Sequence, residues 1–166
     1  PAGFNRWELA MPDGWTVAHE AAKQGTLPAD FTRWELVTPA GLTVAHVAAM
    51  AGRLPAGFDR WDLTTRTGFT VAHEAALQGT LPADFDAWEL AMPDGWTVAH
   101  QAAMHGHLPN DFKLWGLRDR EGETVAHVAA EYGHLPASLE GLDFGVDRRG
   151  RSVADALEEY MKKGNS

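Results

Sequence analysis

The chain contains no cysteine. Disulfides, thiolate metal sites and a cysteine nucleophile are therefore excluded. Nothing in the chain requires an oxidising compartment, so the expected location is the cytoplasm. The first residue is Pro1, inside a repeat, which reads as a trimmed piece and leaves an upstream targeting segment open; no signal peptide is seen. Serine is confined to Ser138, Ser152 and Ser166. There is no phosphate-cradling glycine loop and no nucleophile–base pair at motif spacing, so no catalytic residue is assigned and no enzyme activity is expected. No apolar run approaches the ~20 residues that cross a bilayer. Positive charge is scarce, with 14 Lys and Arg against 23 Asp and Glu and a net charge of −9. That balance argues against a nucleic-acid backbone or an anionic membrane as the direct partner.

What the chain has instead is repetition. Thr-Val-Ala-His begins at Thr16, Thr43, Thr70, Thr97 and Thr124, in steps of 27 residues. Leu-Pro recurs at Leu27, Leu54, Leu81, Leu108 and Leu135, and an aromatic at Phe4, Phe31, Phe58, Phe85 and Phe112. Trp7, Trp34, Trp61, Trp88 and Trp115 follow, each with a leucine two residues on. Trp7 to His19 is identical to Trp88 to His100, as expected of duplication within the array. Repetition at a fixed period of this length is the mark of stacked repeat architectures. The 166 residues, 45% hydrophobic, are read as one repeat domain spanning 1–166.

Each unit predicts a helix of about nine residues. Thr16 serves as N-cap, Val17, Ala18, Ala21 and Ala22 form one apolar stripe, and Gly25 takes the left-handed position that ends it. Pro28 suits the first turn of a second, very short helix running to about Trp34. The Phe and Trp rows are predicted core, because one unit cannot bury its aromatics alone whereas stacked units can. The last copy departs from the pattern: Ser152-Val-Ala-Asp155 replaces Thr-Val-Ala-His after a one-residue insertion. Ser152 with Asp155 predicts a capping box, and Glu158–Lys162 and Glu159–Lys163 are i,i+4 pairs. Residues about 136–163 thus read as a terminal cap with a solvated outer face.

The stretch D-x-x-G-x-T-V-A-H-x-A-A-x-x-G-x-L resembles the ankyrin repeat signature D-x-x-G-x-T-P-L-H-x-A-A-x-x-G-H-L. The nearest copy runs from Asp119 through His127 to Gly133-His134-Leu135. The resemblance covers about half of each unit and recurs five times. The unit is shorter than the family's 33 residues, the missing six falling in the second helix, and Val and Ala replace the signature's Pro and Leu. The resemblance implies an all-α, ankyrin-like helical solenoid with a shortened second helix, a helix-lined concave face and projecting turns. It also implies that His19, His46, His73, His100 and His127 are structural, hydrogen-bonding the backbone of nearby turns. A leucine-rich-repeat-like solenoid, with Trp-x-Leu as a short strand, is the alternative.

Geometry supports the structural reading of the histidines. Packed helices lie ~8–10 Å apart, whereas nitrogens sharing one zinc must lie within ~4 Å of each other. No metal ligand and no cofactor is assigned, although His105, His107 and His134, with His100 and His127, are weighed as a minor metal candidate. The varied positions locate a candidate protein-binding surface. In the turn before the helix these are Trp15, Leu42, Phe69 and Trp96, with Glu123 in the fifth unit. On the helix they include Val47, Met50, Glu74, Leu77, Gln101, Met104, His105, Val128 and Tyr132. Several are apolar where solvent is expected, and a contiguous apolar patch marks an interaction site. The reading is a monomeric scaffold that binds a protein partner of unknown identity, with no membrane and no direct nucleic-acid contact. One alternative is an acidic decoy or nucleic-acid mimic for a basic protein, using Glu8, Glu35, Asp62 and Glu89 with Asp30, Asp84 and Asp111. A second is a catalytic or metal-binding solenoid.

Overall fold

A computed structural model of the chain describes residues 6–139 and 141–164. Phe4, the first member of the phenylalanine row, and Ser166 lie outside the described residues. Six α-helices form: α1 (Val17–Gln24), α2 (Val44–Met50), α3 (Val71–Gln78), α4 (Val98–His105), α5 (Val125–Glu131) and α6 (Val153–Gly164). A single 3-10 turn spans Ala137–Leu139. Among the described residues there is no strand, so Trp-x-Leu is not the short strand of the alternative fold. The chain divides into two compact units, Pro1–Thr80 and Leu81–Ser166. In the first, α1 packs on α2 and α2 on α3; in the second, α4 packs on α5 and α5 on α6.

Five of the six helices begin the same way, and the backbone explains why. The first N–H groups of a helix have no intrahelical acceptor. Here the Trp-x-Leu segment supplies two: Val44 N–H donates to Leu36 O (2.9 Å) and Ala45 N–H to Trp34 O (3.3 Å). The same pair of bonds recurs from Val17 and Ala18 to Leu9 and Trp7, and from Val125 and Ala126 to Leu117 and Trp115. The third N–H goes to the threonine hydroxyl, from His46 to Thr43, His73 to Thr70, His100 to Thr97 and His127 to Thr124 at 3.2–3.3 Å. One antiparallel bridge, such as Val37 with Thr43, closes the loop before each helix. At the other end Thr26 N–H reaches Ala21 O and Gly25 N–H reaches Ala22 O, with Gly25 in the left-handed region at φ 71°, a Schellman ending.

The predicted second helix does not form. Phe31 N–H bonds Pro28 O at 3.0 Å and Leu36 N–H bonds Arg33 O at 3.4 Å, two separate single turns. The carbonyls of Trp34 and Leu36 are committed to the N–H groups of α2, so they are not available to an i→i+4 ladder. Among the described residues only the last copy shows helical geometry in this segment, as the 3-10 turn.

Small side chains let the helices approach. Ala18, Ala22, Val44, Ala45, Ala48 and Ala49 form the centre of the first unit's core. Ala99, Ala103, Val125, Val128 and Ala129 do so in the second. Phe31, Phe58, Phe85 and Phe112 are buried, and each meets the tryptophan three residues on edge-to-face at 5.0–5.2 Å, a favoured aromatic geometry. The tryptophan row is less buried than expected. Trp34 is core, but Trp7, Trp61, Trp88 and Trp115 are only partly covered.

The last helix is capped as predicted. Ser152 N–H and Oγ–H both donate to Asp155 Oδ2 at 2.7 Å, and Asp155 N–H returns to Ser152 Oγ. Glu158 pairs with Lys162 at 3.3 Å. Glu159 turns instead to Arg151. Among the described residues no helix is long and apolar enough to cross a membrane.

Candidate protein-binding face

The turn row and the histidines are one device. In all five units the threonine hydroxyl and Nδ1 of the histidine three residues on are hydrogen-bonded, at 2.7–2.8 Å. The threonine N–H also points at Nδ1 in the first, fourth and fifth units. A ring nitrogen that accepts from an N–H carries no proton, so the proton sits on Nε2. Nε2–H then donates across to the next unit's turn: His19 to Leu42 O (3.2 Å), His46 to Phe69 O (3.0 Å), His100 to Glu123 O (3.1 Å) and His127 to Arg151 O (3.0 Å). Burial pushes His19, His46, His100 and His127 below the ordinary imidazole value. The rings are thereby held neutral and fix where each turn residue projects.

On this frame Trp15, Leu42, Phe69 and Trp96 are each half-buried. The three aromatic ones lean on the histidines, Trp15 on His19 at 5.6 Å, Phe69 on His73 at 5.4 Å and Trp96 on His100 at 5.1 Å. In the first unit Met50 is 51% exposed and Leu77 is half-buried. In the second unit Trp96 Nε1–H donates to Gln101 Oε1 (3.0 Å), and the Gln101 amide reaches His105 Nε2 (3.3 Å). His105 stacks on His107 at 6.1 Å; burial first, then the imidazoles of His107 and His134, hold it below the ordinary value. Met104 is half-buried against the core and Tyr132 is 40% exposed.

Three candidates do not lie on an exposed face. Val47 and Val128 are core residues, and Glu74 is buried, its Oε1 accepting from Gln78. Each sits three residues after the first helical valine, Val44, Val125 and Val71, which is fully buried. Residues i and i+3 share a helix face, so this position faces inward with the valine. The positions left open are the half-buried turn residue and the helix end, where Met50 and Tyr132 are exposed and Leu77, Met104 and His105 half-buried.

The acidic row is exposed throughout; Glu8 and Glu35 share Arg33 at 3.7 and 3.6 Å. Among the described residues no group of three or more His, Asp or Glu side chains is arranged to hold a metal ion. The sequence reading missed Arg151. It occupies the turn position of the last copy, 28 residues after Glu123. Its guanidinium reaches Asp147 (2.9 Å), Glu123 (3.0 Å), Glu131 (3.4 Å) and Glu159 (3.5 Å) while only 16% of its side chain is exposed. A basic residue in register directly after an acidic one was the available signal. No family model matches the chain, and no curated protein matches its sequence.

Proposed function

We propose that the chain is an ankyrin-like repeat scaffold, a solenoid that binds a protein partner through its turn row and helix ends. The observation that carries the reading is a contrast within the repeat. The invariant Thr, Val, Ala and His positions are buried almost throughout. Of the variable positions next to them, Val47, Glu74 and Val128 are buried with the frame, while the turn residues and helix ends are half-buried or exposed; in the first unit these open positions include the apolar Leu42, Phe69, Leu77 and Met50 beside the polar Lys23, Gln24 and Gln78. Apolar side chains on a rigid frame supply the few anchors that dominate most protein interfaces. In the second unit the corresponding open positions, Trp96, Gln101, His105 and Tyr132, are more polar.

The test is capture from a lysate of the native host, wild type beside Met50→Ser/Leu77→Ser. The double variant is expected to keep the wild-type melting temperature within a few degrees and to lose the captured partner at least ~10-fold. Equal capture by both would overturn the assignment of the face. The exposed Glu8, Glu35, Asp62 and Glu89 favour the acidic decoy as second reading. Raising salt from about 0.05 to 0.5 M separates the two, since an electrostatic complex weakens steeply and an apolar one does not.

A further inference from the structure

One pair of helix positions changes its hydrogen-bonding character along the array. The first and third copies hold an acid and an amide there, Glu20 with Gln24 and Glu74 with Gln78, and the amide donates to the carboxylate in both. The fourth copy holds Gln101 and His105 at the same positions. There Trp96 Nε1–H donates to Gln101 Oε1 (3.0 Å), and Gln101 Nε2 lies 3.3 Å from His105 Nε2. An indole nitrogen only donates, so the amide oxygen faces Trp96 and the amide NH2 faces His105. The NH2 also only donates, so Nε2 of His105 accepts and the ring proton sits on Nδ1. This is the opposite tautomer to His19, His46, His100 and His127, which donate from Nε2.

His105 is also within reach of solvent protons, being half-buried where the array histidines are fully buried. Two more imidazoles bear on it. His107 stacks on it at 6.1 Å. His134, in the loop after α5, lies over Gly106, where a Cβ would fall 2.9 Å from His134 Nδ1. On α4 itself His100 is bonded at both ring nitrogens. The helix packed on α4 is α5. It carries His127, which donates to Arg151 O, Glu131, which pairs with Arg151 at 3.4 Å, and Tyr132. Burial first, then His107 and His134, hold His105 below the ordinary imidazole value.

We propose that Gln101 is a relay through which protonation of His105 releases Trp96. The imidazolium donates from both nitrogens, so its Nε2–H meets the Gln101 NH2, donor against donor. A hydrogen bond from a charged donor is roughly twice as strong as a neutral one. The amide therefore turns its oxygen to His105 and presents its NH2 to an indole N–H that cannot accept it. Trp96 loses its acceptor on Gln101 as the pH falls. Trp96 is a turn residue of the face proposed above, so that part of the face becomes pH-dependent; this consequence rests on that reading, whereas the relay does not.

The test follows the indole N–H signals of isotope-labelled protein by NMR from about pH 7.5 to 5. It needs no partner, so its failure is distinct from a failure of the proposed face. The Trp96 signal should move with a single midpoint below ~6.5. Trp115, whose Nε1–H donates to Phe112 O at 2.9 Å, should hold still over the same range. His105→Leu should keep Trp96 at its starting position throughout. Gln101→Leu should give one fixed position away from it. Trp96 leans on His100 as well, so a titration that survives either substitution would belong to His100 and overturn the relay. A Trp96 signal that does not move in the wild type, or that moves only together with Trp115, would overturn it too.

Discussion

His19, His46, His100 and His127 spend both ring nitrogens on the frame, Nδ1 on the capping threonine and Nε2 on the carbonyl of the next turn. That arrangement works only for the neutral ring with its proton on Nε2, because Nδ1 must accept. In the unfolded chain the same imidazole titrates near its usual ~6.5, while burial holds His19, His46, His100 and His127 lower in the folded chain. Above that ordinary value both states are neutral and folding is unaffected. As pH falls below it, the unfolded chain takes up protons that the folded chain refuses, and stability declines until the folded pKa values are reached. Each histidine contributes a slope of at most ~1.4 kcal/mol per pH unit in that window. The urea midpoint should therefore be flat from pH 8 to 7 and drop clearly between about pH 6.5 and 5. A midpoint that does not fall between those values would mean the rings accept protons in place.

At the scale of the element, most of each helix was legible and the segment between helices was not. Thr16, Val17, the alanine pairs and Gly25 mark a start, a face and an end, and the helices form where those marks lie. Pro28 and the missing six residues suggested a stunted second helix. What decides the segment is a demand from elsewhere: the N–H groups of the following helix take the carbonyls of Trp34 and Leu36, a pairing that side-chain periodicity does not display. The inward position of Val47 and Val128 was legible, being one turn from a buried valine, yet variation at that position masqueraded as surface. Exposure at Met50 and Tyr132 followed from their place at the helix end.

Two glycines, one in the turn after Pro55 and one just beyond α5, give a paired prediction. Gly57 and Gly133 both hold positive φ, 77° and 76°. A Cβ at Gly57 meets nothing within 4 Å, whereas one at Gly133 falls 2.2 Å from the Tyr160 ring. Gly57→Ala should cost only the backbone strain, about 1 kcal/mol. Gly133→Ala should cost more and displace Tyr160, loosening α6. Thermal unfolding of both, and of Gly133→Ala with Tyr160→Ala, checks this: the second substitution should recover the difference, and equal losses would show that Tyr160 does not press on the turn.

For the chain as a whole, a net charge of −9 makes each well-placed cation count. Arg151 draws carboxylates from the turn before α5, from α5 itself, from its own turn and from α6 into one place. Glu123 is already pushed up by burial, then by Glu131, with Arg151 opposing. Arg151→Met keeps much of the stem but strands these acids. Breaking a buried ion network from one side costs roughly 3–5 kcal/mol; partial exposure brings the expectation to about 2–3 kcal/mol. The loss should localise to the cap, seen as faster proteolysis and amide exchange in α6 with α1–α3 unaltered. Uniform destabilisation of both units would contradict that placement.

The forward reach of the histidines also bears on how such a gene can change. His19, His46, His100 and His127 each give an imidazole to the turn of the following copy, so a cut and a rejoining that are in phase with the 27-codon period leave each such donor facing an acceptor. Unequal exchange between copies can then lengthen or shorten the coding sequence by whole units without passing through a misfolded product, and the identity of Trp7–His19 with Trp88–His100 is the trace such an exchange would leave.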